Sequence, residues 1–317
     1  MASTTPDLDL ARAKVTLILN AQSGKKDADD RVKGIRARLE PAVGRLVLRP
    51  VRGGDIARAA KAAVDEGSDV VAALGGDGTQ SAVAGALAGT DAVMAPLPGG
   101  TFNYFARELG MATLEEALDA LLAGRVKARD VGTVNDRVFL NNLSFGLYPH
   151  MLQRREAIYD RWGRSRLLAY WSALLSVLAL RDPMHLSLTV DGHQRDIYTP
   201  LAFIARSAYQ LESFGMVGAE AVRAGHFALF VARGKSRSAL MAASLRLALG
   251  KVARGEDFDL VISDEMLIET RRRRKLVALD GEMARMSAPF RLIMHPGALK
   301  VVAPVRKAGD DAESAAA

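Results

Sequence analysis

The chain has 317 residues, 49% of them hydrophobic, enough for one large domain or two ordinary ones with a substantial core. It has no cysteine and five scattered histidines, which excludes disulfides, thiolate zinc sites and a cysteine nucleophile and leaves little for a transition metal. With 43 Lys+Arg against 36 Asp+Glu the net charge is +7, which favours anionic partners such as a nucleotide, a nucleic acid or an acidic lipid surface.

Residues 1–10 (MASTTPDLDL) lack the basic and apolar regions of a signal peptide. Lys14 to Leu19 (KVTLIL) then reads as a short strand running into the polar turn Asn20 to Lys25 and a charged helix ending near Leu39. Arg45 to Leu48 is a second strand. Gly53 and Gly54 break it, and Asp55 is placed to cap an alanine-rich helix from Ile56 to about Glu66. Asp69 to Leu74 is a third strand, followed by Gly75-Gly76-Asp77-Gly78-Thr79 and a helix. Ala92 to Leu97 is a fourth, leading through Pro98-Gly99-Gly100-Thr101-Phe102-Asn103 into a helix over Tyr104 to Leu109. A further helix, Leu114 to Leu122, stops at Gly124. Such alternation predicts an α/β domain whose parallel sheet is covered on both faces.

After about Lys127 the pattern becomes mostly β. The short apolar runs are Val138 to Leu143, Leu186 to Val190, Thr199 to Ala205, His226 to Ala232, Phe258 to Ile262, Met266 to Thr270, Leu276 to Leu279 and Phe290 to Met294, with turns such as Asp191-Gly192 between them. Helical insertions are expected around 151–180 and 236–253. The apolar stretch Leu167 to Leu180 is shorter than the roughly 20 residues needed to span a bilayer.

Three of the loops at strand ends combine glycine with a small hydroxyl or amide: Asn20 to Lys25, Gly75 to Thr79 and Gly100 to Asn103. In an open parallel sheet such loops gather along the carboxyl edge, where ligands bind. Glycines admit backbone N–H groups close to a phosphate, helix N-termini favour the anion, and Ser23, Thr79 and Thr101 offer hydroxyls. Asp77 needs a cation between itself and a phosphate, which suggests a magnesium-bound nucleotide. Neither the G-x-x-x-x-G-K-[ST] loop nor the G-x-G-x-x-G fingerprint is present, so phosphates would be held by another device.

Gly75-Gly76-Asp77-Gly78-Thr79, Pro98-Gly99-Gly100-Thr101-Phe102-Asn103 with Phe105-Ala106-Arg107, and Asp280-Gly281-Glu282 occur in the order of the diacylglycerol kinase catalytic-domain family, which the chain resembles over about residues 14–304. Asn20-Ala21-Gln22-Ser23-Gly24 is similar to that family's opening Asn-Pro-x-Ser-Gly loop. The sequence departs from the pattern at Pro50, at Ser81-Ala82, at Tyr104 in place of aspartate, and at Ala224, where relatives carry an acid.

The resemblance implies an α/β + β architecture: a parallel nucleotide-binding domain over 12–128, with 296–305 a candidate to complete it, a β-sandwich substrate domain over 129–295, and flexible tails at 1–11 and 307–317. The active site would lie in the cleft between the domains. It implies an ATP- and magnesium-dependent transfer of the γ-phosphate to a lipid hydroxyl, with diacylglycerol converted to phosphatidic acid. The nucleotide would be held by Asn20, Ser23, Gly24, Lys25, Gly75, Gly76, Asp77, Gly78, Thr79, Gly100, Thr101 and Asn103, and the metal by Asp77. Asp280 is favoured as the base that takes the hydroxyl proton, with Glu282 supporting, and the reverse assignment stays open. A NAD kinase-like enzyme and an inactive nucleotide- or lipid-binding relative are the alternatives.

On the lipid side, the arginine-rich segment Arg154 to Arg181 carries an apolar helical stripe through Tyr170, Trp171, Leu174, Leu175 and Leu178, suited either to packing on the β-domain or to an anionic membrane. The run Arg271 to Lys275 (RRRRK) is either a solvated hairpin or a contact for lipid headgroups. No nucleic-acid-binding signature is present. A cytoplasmic protein peripheral at the inner membrane surface is expected, of unspecified oligomeric state.

Overall fold

The computed structural model describes residues 7–20, 25–146, 184–233 and 258–304. The chain divides into two compact units, Met1–Asp130 with Gly297–Ala317, and Val131–Pro296.

In the first unit β1 (Lys14–Asn20), β2 (Arg45–Val51), β3 (Val70–Gly75) and β4 (Val93–Pro98) form a parallel sheet in the order β2-β1-β3-β4. Every residue of VVAALG in β3 and VMAPLP in β4 is buried, as in central strands covered on both faces. β2 runs through Pro50 to Val51, beyond the expected end at Leu48. It is an edge strand, where a residue without an N–H can sit with its bare nitrogen on the unpaired side.

The helices are α1 (Lys25–Leu39), α2 (Ile56–Asp65), α3 (Asp77–Leu87), α4 (Tyr104–Glu108) and α5 (Leu114–Leu122). Thr113 and Glu116 form a capping box at the start of α5. The backbone N–H groups of Thr113 and then Ala112 hold the Glu116 carboxyl below its ordinary range. Residues 7–11, expected to belong to a flexible tail, are tied down instead: Leu8 N donates to Gly124 O at 2.7 Å and Gly44 N to Leu10 O at 3.0 Å. The chain's last strand ends in this unit, where Val301 pairs in parallel with Met94.

The second unit takes the end of β5 (Val126–Val134), then β6 (Arg137–Phe139), β7 (Asn142–Gly146), β8 (Met184–Val190), β9 (His193–Thr199), β10 (Leu201–Ala205), α6 (Ala208–Ser213) and α7 (Ala219–Arg223). β11 (Phe227–Ala232), β12 (Phe258–Ser263), β13 (Glu265–Thr270), β14 (Arg274–Leu279), β15 (Glu282–Ser287) and the start of β16 (Phe290–Val302) complete it. One antiparallel sheet runs β12-β11-β10-β7-β14-β15; in the other, β13 pairs with both β16 and β8, and β8 with β9.

Their inner faces share one core. Phe145 of β7 meets Phe290 of β16 edge-on with ring centroids 4.8 Å apart, and Phe139 stacks on Phe227 at 5.6 Å. The single strand expected over Val138 to Leu143 is broken at Leu140 and Asn141, whose amides are drawn to a side chain instead of a strand partner. The helical insertions expected at 151–180 and 236–253, and the Arg154 to Arg181 stripe, lie outside the described residues. Among the described residues no helix is long and apolar enough to cross a membrane.

Candidate active site

In the first unit the carboxyl ends of β1, β3 and β4 place Asn20, Gly75 and Pro98 along one edge of the sheet, with Leu19 opposite Leu74 and Gly75 opposite Pro98. Ser23 and Gly24 lie outside the described residues. Lys25 is described by its backbone, as the first residue of α1.

The turns after β3 and β4 pack glycine against glycine. A Cβ on Gly100 would stand 2.5 Å from the Cα of Gly76, and one on Gly99 would stand 3.2 Å from the Cα of Gly75. The bare backbone is therefore required by the contact of the two turns with each other. Gly100→Ala is expected to force them apart, destabilising the unit by about 1–3 kcal/mol as an overpacked site does. Thermal unfolding together with nucleotide titration would measure both consequences.

Asp77 ties the turns together. Its Oδ2 accepts from Asn103 N at 3.0 Å and its Oδ1 from Tyr104 N at 2.7 Å, at the start of α4. Asn103 holds a left-handed conformation at φ 52°, which asparagine tolerates well, and closes its own turn. Gly100 N donates to Asn103 Oδ1 and Asn103 Nδ2 donates to Gly100 O, both at 2.9 Å. Asn103 and Thr79 are buried, whereas Gly100 and Thr101 are exposed. The first intrahelical bond of α3 runs from Gln80 N to Gly76 O, so the preceding amides of Gly78 and Thr79 have no intrahelical acceptor. Their dipoles favour an anion at this end.

The metal expectation on Asp77 has a narrower basis than its sequence position suggests, because both its oxygens already serve backbone amides. Among the described residues no group of three or more His, Cys, Asp or Glu side chains could hold an ion. Such a donor set fits a magnesium that keeps phosphate and water ligands, not one enclosed by protein.

In the second unit Asp280 and Gly281 form the two-residue turn between β14 and β15, at φ 48° and 83°, with Leu279 opposite Glu282. A mirror-image hairpin turn needs positive φ at both positions, which the Asp-Gly pair supplies. The turn gives the two acids different surroundings.

Asp280 is 7% exposed. Its Oδ2 accepts from Leu140 N at 2.8 Å, and its Oδ1 from Asn141 N at 2.7 Å and Asn142 N at 3.0 Å. The carbonyls of the same segment are taken by Arg206 and Ser207: Arg206 Nη1 donates to Leu140 O at 3.2 Å, and Arg206 N and Ser207 N donate to Asn141 O. Glu282 is exposed, and its carboxylate forms no hydrogen bond or ion pair with a described residue. Leu140 to Asn142 were not singled out in the sequence, which carries no local signal for a clamp made of backbone amides.

A family model described as the diacylglycerol kinase catalytic domain matches residues 14–134. A second, the YegS C-terminal NAD kinase beta sandwich-like domain, matches residues 153–303. A diacylglycerol kinase of Mycobacterium tuberculosis is 32% identical over 187 residues, 56% of this chain and 60% of that protein's length. A diacylglycerol kinase of Bacillus subtilis is 29% identical over 273 residues, 80% of this chain and 84% of that one. The crystal structure of a diacylglycerol kinase from Bacillus anthracis matches with a TM-score of 0.64 at 21% identity, covering 92% of this chain and 97% of that one, a likeness of fold.

Proposed function

Because the chain belongs to the diacylglycerol kinase catalytic-domain family, we propose that it transfers the γ-phosphate of ATP to a lipid hydroxyl, with diacylglycerol as acceptor and phosphatidic acid as product. The observation that carries this reading is the pair of glycine turns bridged by Asp77 on the carboxyl edge of an open parallel sheet. Nucleotide phosphates are the ligands that such an edge, with uncommitted amides at a helix start, accommodates best.

Gly75, Gly76, Gly78, Thr79, Gly100 and Thr101 line the phosphates, Asn103 fixes the second turn, and Asn20, Ser23, Gly24 and Lys25 are the further nucleotide contacts proposed from the sequence. Magnesium supplied with ATP would offset the charge building on the phosphate oxygens. Asp77 is the carboxylate of these turns that would face it. The acceptor oxygen bonds to the γ-phosphorus as the bond to the bridging oxygen breaks. ADP leaves with that electron pair, and the hydroxyl proton passes to a carboxylate.

For that carboxylate we assign Glu282, reversing the preference for Asp280 drawn from the sequence. Asp280 has its oxygens committed to three backbone amides, while Glu282 is uncommitted and exposed. Asp280 is then the positioning residue that sets the turn from which Glu282 projects. The acceptor resides in a membrane, which the protein visits from the cytoplasmic side.

The test is transfer of labelled γ-phosphate from ATP with magnesium to a total lipid extract, resolving the products by mass, with Glu282→Gln alongside. A phosphatidic acid product that disappears in the variant is the expected result. The sandwich is also described as NAD kinase-like, so NAD is run as a second acceptor. Formation of NADP without any lipid product would overturn the lipid reading.

A further inference from the structure

The turn from β13 to β14, which crosses from one sheet to the other and is not the hairpin the sequence offered, carries Arg271, Arg272, Arg273, Arg274 and Lys275 in succession, with the four arginines exposed. Several arginines elsewhere meet carboxylates, among them Arg36 with Glu40, Arg49 with Glu66, Arg233 with Asp259 and Arg291 with Glu265. None of these five side chains forms an ion pair or hydrogen bond with a described residue. Burial, and then the neighbouring charge of Arg272, push the Lys275 ammonium below its ordinary pKa.

Arg271 also lines a groove of about 490 Å³ with His185 and Tyr198. Tyr198 is 59% exposed on β9, an outermost strand of its sheet, and its ring lies 4.8 Å from that of His185. Glu269 is the groove's own acid, and Asp196 beside it is occupied by His185 at 3.2 Å. An exposed amphipathic ring next to a dense run of uncompensated cations is the chemistry of a headgroup layer: the ring suits the boundary between apolar and wet regions, and the arginines suit phosphate.

We propose that this face, the Arg271 to Arg274 turn with Tyr198 at its flank, is the surface by which the protein docks on an anionic phospholipid bilayer. The inference rests on the proposed lipid kinase activity for its purpose, and deepens it by naming the partner surface. Lipid attracts it through several charges at once, so binding is steep in the number of arginines and weakens with salt.

The backbone of the turn is held independently of these side chains. Thr270 Oγ1 donates to Arg272 O at 2.7 Å and Ala288 N to Arg273 O at 2.7 Å, so replacing the arginine side chains leaves these backbone contacts of the turn in place. The experiment is co-sedimentation, without nucleotide, with vesicles of phosphatidylglycerol and phosphatidylcholine against phosphatidylcholine alone. It compares the unchanged protein, Tyr198→Ser, and the quadruple variant Arg271→Gln, Arg272→Gln, Arg273→Gln, Arg274→Gln.

The unchanged protein is expected to bind the anionic vesicles and release them as salt is raised. The quadruple variant should bind roughly 100-fold or more weakly, and Tyr198→Ser by a smaller factor. A quadruple variant that sediments with anionic vesicles as tightly as the unchanged protein would overturn the proposal, and so would tighter binding of the unchanged protein to a double-stranded oligonucleotide than to the vesicles. Turnover of a short-chain diacylglycerol dispersed in solution separates the two readings. Equal rates for unchanged and quadruple-variant protein support a docking role outside the chemistry. Vesicle binding by an unchanged protein that phosphorylates no lipid would leave the docking surface standing and bring down the kinase reading.

Discussion

Glu282→Gln is expected to lower kcat by roughly two to four orders of magnitude, the usual contribution of a positioned general base, while leaving nucleotide affinity and folding unchanged. The side chain is exposed and forms no bond with a described residue, so its replacement removes proton acceptance and little else. Surface changes of this kind stay within about 0.5 kcal/mol of the parent. Steady-state kinetics with a soluble diacylglycerol, beside a urea unfolding curve, would read both halves of the expectation. A variant with near-parental kcat would remove Glu282 from the reaction.

Asp280→Ala is expected to fail in a different way. It strips the acceptor from three backbone amides, those of Leu140, Asn141 and Asn142, and each buried donor left without a partner costs about 1–3 kcal/mol. It also places alanine at φ 48°, where a short polar side chain is better tolerated. The combined loss is about 3 kcal/mol or more, visible as a clear drop in the urea midpoint. An Asp280→Ala protein with the parental midpoint but no turnover would return the base role to Asp280. The two variants thus separate a residue that reacts from one that holds the frame, although they flank the same glycine.

The parallel sheet was legible from particular runs. VVAALG and VMAPLP are apolar throughout and end in glycine or proline, and strands buried on both faces read this way. Leu114 to Leu122, with Gly124 as its stop, reads as a helix, and Leu114–Leu122 is the helix observed. β9 was not legible. Its sequence HQRDIYT is mostly exposed and polar, as an edge strand can be, and only the Asp191-Gly192 turn before it hinted at a partner for β8. The glycine turns announced a close approach, but not that each turn is the other's nearest neighbour. Nor did a sequence position reveal that Asp77 and Asp280 spend their oxygens on amides distant along the chain. A contact between a side chain and a remote backbone leaves no periodic trace, and the amides concerned belong to residues of any type.

The first unit is assembled from two stretches separated by the entire second unit, and the segment that pairs with β4 comes from the far end of the chain. A ribosome delivers the chain in order, at about 5–20 residues per second. The strand that lies beside Met94 therefore emerges on the order of ten seconds or more after Met94 itself. Throughout that interval the nascent sheet presents an open, wholly apolar edge, the kind of edge that invites pairing with another chain. Stop codons or proteolysis anywhere in the second unit should consequently yield products that aggregate instead of a smaller soluble nucleotide-binding protein, and co-translational protection of this edge becomes part of what the sequence demands of its host.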